Sequence, residues 1–144
     1  EIPVEELWAG PGRITLEPGE IVTAFVLPAT PQGSGSHYER HTPRKVMDIA
    51  VVGVASYLEL SGGVVRAARI ALGAVAPTVI RAERAEQSLV GRALTEESAA
   101  EAGRIAATEA TPISDVRGSV AFRRYLVETM TSASVLRSAA RARG

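Results

Sequence analysis

The sequence predicts an α+β domain in which helices pack on one face of an antiparallel sheet. Two observations predict this class: strand-like segments with a two-residue apolar period fill the first half, and segments with the helical period fill the second half. The chain has 144 residues, of which 46% are hydrophobic, so it is long enough to bury one core. We therefore expect a single folding unit.

The strand predictions rest on β-branched runs that are bounded by turn residues. A short strand is predicted for residues 20–28, EIVTAFVLP, which a proline closes. The next segment, ATPQGSGS at residues 29–36, is predicted to be a flexible break. Residues 51–60 and 64–76 are predicted to form a β-hairpin, because the SGG between them supplies the positive φ angles that a tight turn requires.

Three helices are predicted after the hairpin. The first covers residues 81–90 and ends before Gly91, and the second begins after Thr95, which is suited to cap it. The third begins after Ser119 and runs to about residue 141. Its predicted apolar stripe comprises Phe122, Leu126, Met130, Ala133, Leu136 and Ala140. The residues predicted to flank that stripe, facing solvent or an acidic partner, are Arg123, Arg124, Arg137, Arg141 and Arg143.

Composition and charge exclude several functional classes. Sixteen basic and sixteen acidic side chains cancel, so we expect no nucleic-acid partner, which would require a concentrated basic surface. The chain has no cysteine, which excludes disulfides, thiolate metal sites and iron–sulfur clusters ligated by this chain, and we expect a cytoplasmic protein. No apolar run approaches the roughly 20 residues that cross a bilayer, so no membrane span is expected.

The residues offer no catalytic group and no metal site. His37 and His41 have a spacing that would place both on one side of a helix, but glycines before them and Pro43 after them argue against a helix. We therefore expect a solvated or anion-facing pair. The GSGS at residues 33–36 lacks the spacing and the ending of a phosphate-binding loop, and no serine lies in a G-x-S-x-G turn.

A basic group, Arg40, Arg44 and Lys45 together with the two histidines, directly precedes Asp48. One interpretation is a solvated edge of the domain. The other is an edge that binds an anion or a cofactor, because several donors lie within a few residues of one another. The residues alone leave both interpretations open.

The segment PISDVRGSVAFRRYL, residues 112–126, precedes and begins the third helix. Asp115 and Arg117 have no base, nucleophile or metal partner close to them in the sequence. Gly118 and Ser119, in contrast, suit the start of a helix, where N–H groups need acceptors. We predict that this loop holds the start of the helix and packs against a neighbour, and that it takes no part in chemistry.

Four segments carry a resemblance to a known family. They are, in order, LWAGPGRITLEPGEIVTAFVLP, YERHTPRKVMDIAVVGVAS, ALGAVAPTVIRAERAEQSLVG and PISDVRGSVAFRRYL. With these segments the chain resembles the C-terminal part of the FAD-binding medium subunit of molybdenum hydroxylases, the family of xanthine dehydrogenase and carbon monoxide dehydrogenase. The resemblance implies a three- to four-stranded antiparallel sheet with about three helices on one face.

The resemblance also implies a division of the chain and two cofactor contacts. Residues 1–28 would be the end of the FAD-binding domain, and residues 29–144 would be the C-terminal domain. An N-terminal domain would hold most of the FAD, since no Ala-Gly-Gly-Thr-like phosphate loop occurs in these residues. Val22 stands where the family has an aliphatic residue near the flavin, and Arg40 in HYER stands where it has a lysine. The chain alone is expected to be inactive.

The implied partners are the N-terminal FAD-binding domain, an iron–sulfur small subunit and a molybdenum large subunit. Electrons would pass from the molybdenum cofactor through [2Fe-2S] clusters of the small subunit to FAD, which makes the chain part of a dehydrogenase. The absence of a phosphate loop from these residues favours an alternative, a stand-alone α+β interaction module without a cofactor. An adjoining glycine-rich FAD domain would distinguish the two.

Overall fold

The chain forms a small N-terminal hairpin followed by a four-stranded sheet and three helices, which confirms the predicted fold class. The structure is a computed structural model that describes residues 1–44 and 46–144. Its elements are, in order, a 3-10 helix (Val4–Leu7), β1 (Trp8–Gly10), β2 (Arg13–Ile14), β3 (Ser34–His41), β4 (Val52–Ser61), β5 (Val64–Gly73), β6 (Ile80–Arg81), α1 (Glu83–Leu89), α2 (Glu96–Glu109) and α3 (Val120–Ala142).

The larger sheet has the order β3-β4-β5-β6 and is antiparallel throughout. The β4–β5 hairpin is confirmed, and it turns through Gly62 and Gly63 at φ values of 57° and 80°. Alternate side chains of the central strands, such as Val54, Leu58 and Ile70, are fully buried under the helices. The core therefore lies between one face of the sheet and the helical layer.

The predicted caps of the two longer helices are confirmed. The Thr95 hydroxyl accepts a hydrogen bond from Ser98 N at 3.2 Å, and the Ser119 hydroxyl accepts one from Phe122 N at 3.1 Å. The start of α1 is capped from α2, because the Glu109 carboxylate accepts from the backbone N–H groups of Arg84 and Ala85. The start of each helix thus finds a side-chain acceptor for at least one of its free backbone N–H groups.

The GSGS segment is ordered, so the prediction of a flexible break over all of residues 29–36 is wrong. Ser34 begins β3, and Gly35 lies directly beneath α3. A Cβ atom at Gly35 would collide with the backbone of Ser138 and Ala142. The glycine is there because the strand and the helix cross too closely for a side chain.

The buried stripe of α3 is rotated relative to the predicted one. Leu126 and Met130 are buried as predicted, but Phe122 is 39% exposed and Ala140 is exposed. Polar residues take part in the contact instead: Ser56 Oγ lies 2.7 Å from both Ser134 Oγ and Ser138 Oγ. The apolar period missed this face because small serine residues, which bond to one another, take the place of apolar side chains there.

Residues 20–28 do not form the predicted strand. Ile21, Phe25 and Leu27 are 72–86% exposed, and residues 21–30 make no backbone–backbone hydrogen bond. The apolar pattern is that of a strand, but a strand requires a neighbouring strand to satisfy its backbone groups. The described part of the chain provides none for this segment.

Candidate functional site

Arg40 lies on the side of the sheet that faces away from the helices. We call this side the open face; it comprises Ser36, Tyr38 and Arg40 of β3, Gly53, Ala55, Tyr57 and Glu59 of β4, Arg69, Ala71 and Gly73 of β5, and Arg81 of β6. Arg40 is exposed, and among the described residues no carboxylate lies within 4.0 Å of its guanidinium group. Its donors are therefore available to an anionic or carbonyl group.

Val22 lies in the exposed N-terminal segment and is 46% exposed. It lines an open cavity of about 850 Å³ that is formed entirely by residues 1–26, including Leu7, Leu16 and Phe25. Arg40 does not contribute to this cavity. The structure thus does not bring the two predicted flavin contacts together, and their roles stay a prediction.

The two histidines beside Arg40 are engaged within the domain. His37 faces α3, where its Nε2 lies 3.2 Å from the guanidinium of Arg137. Burial, and then the charges of Arg141 and Arg137, lower the pKa of His37 below its usual 6.5, while Glu39 acts in the opposite direction. His41 meets the ring of Phe122 edge-on at 5.9 Å. Neither imidazole joins Arg40 on the open face.

Arg44 is occupied in organising its own loop. Its Nε lies 3.3 Å from Asp48 Oδ2, and its guanidinium donates to the carbonyl of Met47. Burial alone would raise the pKa of Asp48, but hydrogen bonds from Ile49 N and from Arg44 lower it overall. Lys45 lies outside the described residues. Of the two described arginines in the predicted basic group, Arg44 is paired with Asp48, whereas no carboxylate lies within 4.0 Å of Arg40.

The loop before α3 holds the start of that helix, as predicted. Asp115 accepts hydrogen bonds from Arg123 at 2.8 Å and from Arg117 N at 2.9 Å. The bond from Arg123 is the main cause that lowers the pKa of Asp115. Arg123 also donates to the carbonyls of Val51 at 2.6 Å and Ala74 at 3.1 Å.

Arg123 is therefore not the solvated rim residue that the sequence predicted. Its side chain is 4% exposed and ties α3 to the ends of β4 and β5. A helical stripe counted from apolar residues alone places this arginine outside the core, although its three acceptors make it part of the core. Arg124 is exposed, as predicted.

The open face contains residues that the sequence analysis did not single out. Ala55, Ala71 and Tyr57 line an open hollow of about 610 Å³ together with Tyr38, Arg69 and Arg81. The available signal was the alternation within β4 and β5, where Gly53, Ala55, Ala71 and Gly73 occupy one side of both strands. Small residues in register on one side of a sheet indicate close approach of another surface.

Neither a metal cluster nor a membrane helix is evident in the described part of the chain. No group of three or more His, Asp or Glu side chains is arranged to hold a metal ion there. Among the described helices, none is both long enough and apolar enough to cross a bilayer.

Comparison with known proteins identifies the family. The profile of the CO dehydrogenase flavoprotein C-terminal domain matches residues 37–138. The chain belongs to this family. It is 33% identical over 144 residues to the putative xanthine dehydrogenase FAD-binding subunit of Escherichia coli K12, a match over 99% of this chain and 49% of that protein. It is 35% identical over 142 residues to the carbon monoxide dehydrogenase medium chain of Afipia carboxidovorans, with the same shares.

Solved structures of the family share the fold. Carbon monoxide dehydrogenase from Hydrogenophaga pseudoflava superposes with a TM-score of 0.89 at 33% identity, over 95% of this chain and 47% of that one. Quinoline 2-oxidoreductase from Pseudomonas putida 86 superposes with a TM-score of 0.85 at 34% identity, with the same shares. The chain thus spans about half the length of the flavoprotein subunits that it matches, and corresponds to their C-terminal part.

Proposed function

We propose that this chain acts as the C-terminal domain of the flavoprotein subunit of a molybdenum hydroxylase, where it covers FAD that a preceding half of the subunit binds. The observation that carries the proposal is similarity along 99% of the chain to an FAD-binding subunit and to a medium chain of dehydrogenases. In this proposal residues 1–28 end the FAD-binding domain and residues 29–144 are the covering domain. The exposed segment at residues 21–28 makes no backbone–backbone hydrogen bond, and it supports the division because a strand-like segment of this kind needs a neighbouring strand from outside these residues.

The residues present fit a role at the edge of a flavin rather than a complete FAD site. No glycine-rich turn of this chain presents a set of backbone N–H groups for a pyrophosphate. Arg40, an exposed guanidinium with no carboxylate partner, would donate to a carbonyl or an anionic group of the cofactor. Val22 would supply an apolar contact from the N-terminal segment.

FAD, when bound, would supply the acceptor for electrons that arrive from the [2Fe-2S] clusters of a small subunit, which in turn take them from the molybdenum cofactor of a large subunit. The chain's own residues would then position and shield the cofactor. The Arg40 charge would favour negative charge on the ring that it faces. The complex would be cytoplasmic, consistent with a chain that has no cysteine.

The alternative, a stand-alone interaction module, predicts that no FAD-binding half accompanies this chain. The two proposals are separated by purifying the chain together with the polypeptide that precedes it in the native subunit. The proposed function predicts a yellow protein with a flavin absorbance spectrum. A colourless preparation would favour the interaction module.

The role of Arg40 is tested in that flavin-loaded subunit. We expect Arg40→Ala to weaken FAD affinity by about tenfold, equal to about 1.4 kcal/mol, the size of one charge-assisted hydrogen bond. Arg40→Lys should restore part of the affinity, and Arg104→Ala, at an exposed position of α2, is the matched control. If Arg40→Ala leaves both the FAD affinity and the reduction potential of the flavin unchanged, Arg40 does not face the cofactor.

A further inference from the structure

The C-terminal end of α3 is tied to β3 by a small group of polar contacts. Arg137 Nη1 lies 3.2 Å from His37 Nε2 and donates to Glu39 Oε2 at 3.0 Å. Arg141 donates to the carbonyl of Ser36 at 2.6 Å. We call these five residues the His37 cluster. Its imidazole is the side chain whose ordinary pKa lies nearest to neutral pH, and it stands between the strand and the helix.

The contact with Arg137 fixes where the neutral ring of His37 carries its proton. A guanidinium group has N–H donors and no acceptor, so the contact requires a lone pair on Nε2. The ring proton is therefore on Nδ1. That nitrogen is buried and has no hydrogen-bond partner among the described residues. The bond from Arg137 is thus the hydrogen bond that the neutral ring makes, and it exists only while Nε2 is unprotonated.

A proton taken up from solvent at Nε2 reverses this arrangement. The proton occupies the lone pair that accepted from Arg137, so two donors and two positive charges then face each other across 3.2 Å. Glu39 Oε2 lies 3.9 Å from Nε2, and a small movement brings it within hydrogen-bond distance. The imidazolium therefore takes Glu39 as its partner and displaces Arg137.

The charges around the ring act mainly against the protonated form. Arg137 and Arg141 approach His37 from α3, and Glu39 is the carboxylate that faces it from β3. Burial, and then the two arginines, lower the pKa of His37, and Glu39 opposes them. Protonation in the closed arrangement is thus resisted by two cations and favoured by one anion, which drives the helix end and the ring apart.

The remaining neighbours of His37 carry no competing charge. Its register partner in β4 is Ser56, whose hydroxyl is bonded to two serines of α3. Val54 and Leu58, on the same face of β4, are apolar and fully buried. His41 lies further along β3, where it meets an aromatic ring near the start of α3. Exchange of partners between Arg137 and Glu39 is therefore the response open to a protonated His37.

The rest of α3 is held independently of the His37 cluster. Arg123 ties the start of the helix to the carbonyls of Val51 and Ala74. Leu126 and Met130 are buried in the core. At the other end, Gly35 of β3 passes so close beneath α3 that a Cβ atom would collide with its backbone. Separation there uncovers part of β3, which is an edge strand of the sheet.

We infer that His37 is a proton-sensitive latch between β3 and the end of α3, in which uptake of a proton at Nε2 exchanges the Arg137 contact for Glu39 and releases the last turns of the helix. The inference does not depend on the proposed function, because it requires no cofactor and no partner subunit. The released state makes the edge of β3 at Gly35 and Ser36 accessible. The device responds to acidification below about pH 6.5, where a solvated imidazole takes up a proton.

NMR of the histidine side chains tests the closed arrangement. The 144-residue chain contains two histidines and buries a core of its own, and His41→Gln assigns the two sets of signals. At pH 7.5 we expect the Nδ1–H tautomer for His37. The Nε2–H tautomer would overturn the inference, because Nε2 could then not accept from Arg137.

Amide hydrogen exchange measures the release of the helix end. After correction for the intrinsic effect of pH, we expect the protection of residues 138–142 to fall at least about threefold between pH 7.5 and pH 5.0. The protection of residues 123–130 should stay the same. Equal protection of residues 138–142 at both pH values, or an equal loss along the whole helix, would overturn the inference.

Four variants separate a latch from a merely structural contact. Glu39→Gln should lower the pKa of His37 further, whereas Arg137→Gln should raise it, because the first removes an attraction and the second a repulsion. His37→Gln should abolish the pH dependence of protection, and His41→Gln should retain it. Shifts in the same direction for the first pair, or a pH dependence that persists in His37→Gln, would contradict the latch. If a variant does not fold, the tautomer in the parent chain decides.

Discussion

The two faces of the four-stranded sheet use the same strands in opposite ways. On the face toward the helices, Val54, Leu58 and Ile70 are fully buried by elements of the chain itself. On the open face, Tyr38 is 62% exposed, and glycine and alanine residues of β4 and β5 lie beside it. In one strand, the side chains that point toward the helices therefore stabilise the fold, whereas the alternate side chains on the open face remain available to a partner.

The largest expected difference is between two arginines, one on each side of the sheet. We expect Arg123→Met to destabilise the chain by about 3 kcal/mol, because the buried carbonyl of Val51 and the partly buried carbonyl of Ala74 lose their donor and Asp115 loses its ion-pair partner. Arg40→Met, on the open face, should change stability by less than about 0.5 kcal/mol. Urea unfolding measures both. Similar losses for the two variants would contradict the different roles that we assign to them.

A smaller difference is expected between two glycines. Gly35→Ala should cost about 2 kcal/mol, because the new methyl group meets the backbone of α3, which cannot move aside. Gly73→Ala adds the same methyl group on the open face, where the nearest atom is Gly53 O at 3.9 Å. It should be neutral or slightly stabilising. If thermal unfolding shows equal destabilisation, α3 does not lie against β3 as described.

The smallest expected effect is a dependence of stability on pH through His37, on the helix-facing side. The unfolded chain binds a proton near pH 6.5, whereas the folded chain resists it until a lower pH. The contribution of neutral His37 to the free energy of unfolding is therefore fully present above pH 6.5. It falls as the pH drops from 6.5 through the lowered pKa of the folded state. His37→Gln should remove this slope, and His41→Gln should retain it. A slope that persists in His37→Gln would show that another group is responsible.

The carboxylates of Asp48 and Asp115 act in a separate range. Hydrogen bonds lower the pKa of both groups below 3.8, so what they contribute to stability is present above pH 3.8 and is lost below it. The pH dependence of stability that we assign to His37, below pH 6.5, can thus be measured above pH 3.8 without a contribution from these two carboxylates.

Local patterns in the sequence were sufficient for much of the fold. The SGG turn, the hydroxyl caps at Thr95 and Ser119, and the period of the helices each depend on residues close together in the chain. These features were predicted to within a few residues. The resemblance of four ordered segments supplied the family, which the comparisons confirm.

Features that depend on distant contacts were not predictable in this way. From the sequence alone, Gly35 looks like part of a linker, because its contact with α3 is made by residues about 100 positions away. Arg123 likewise looks like a surface charge, because its acceptors at Asp115, Val51 and Ala74 are brought to it only by the fold. Residues 20–28 read as a strand, but no neighbouring strand in the described residues pairs with them. At the candidate site, the open face required the registration of three strands, which no single segment specifies.

Titration with FAD tests the central claim most directly, which is that this chain supplies only one side of a flavin site. The 144-residue chain should bind FAD more weakly than about 1 mM, because it lacks glycine-rich turns for the pyrophosphate. The subunit that includes the preceding half should bind FAD with an affinity of about 1 µM or tighter and be yellow. Micromolar binding by the 144-residue chain alone would show that the complete site lies within it, and would contradict the account.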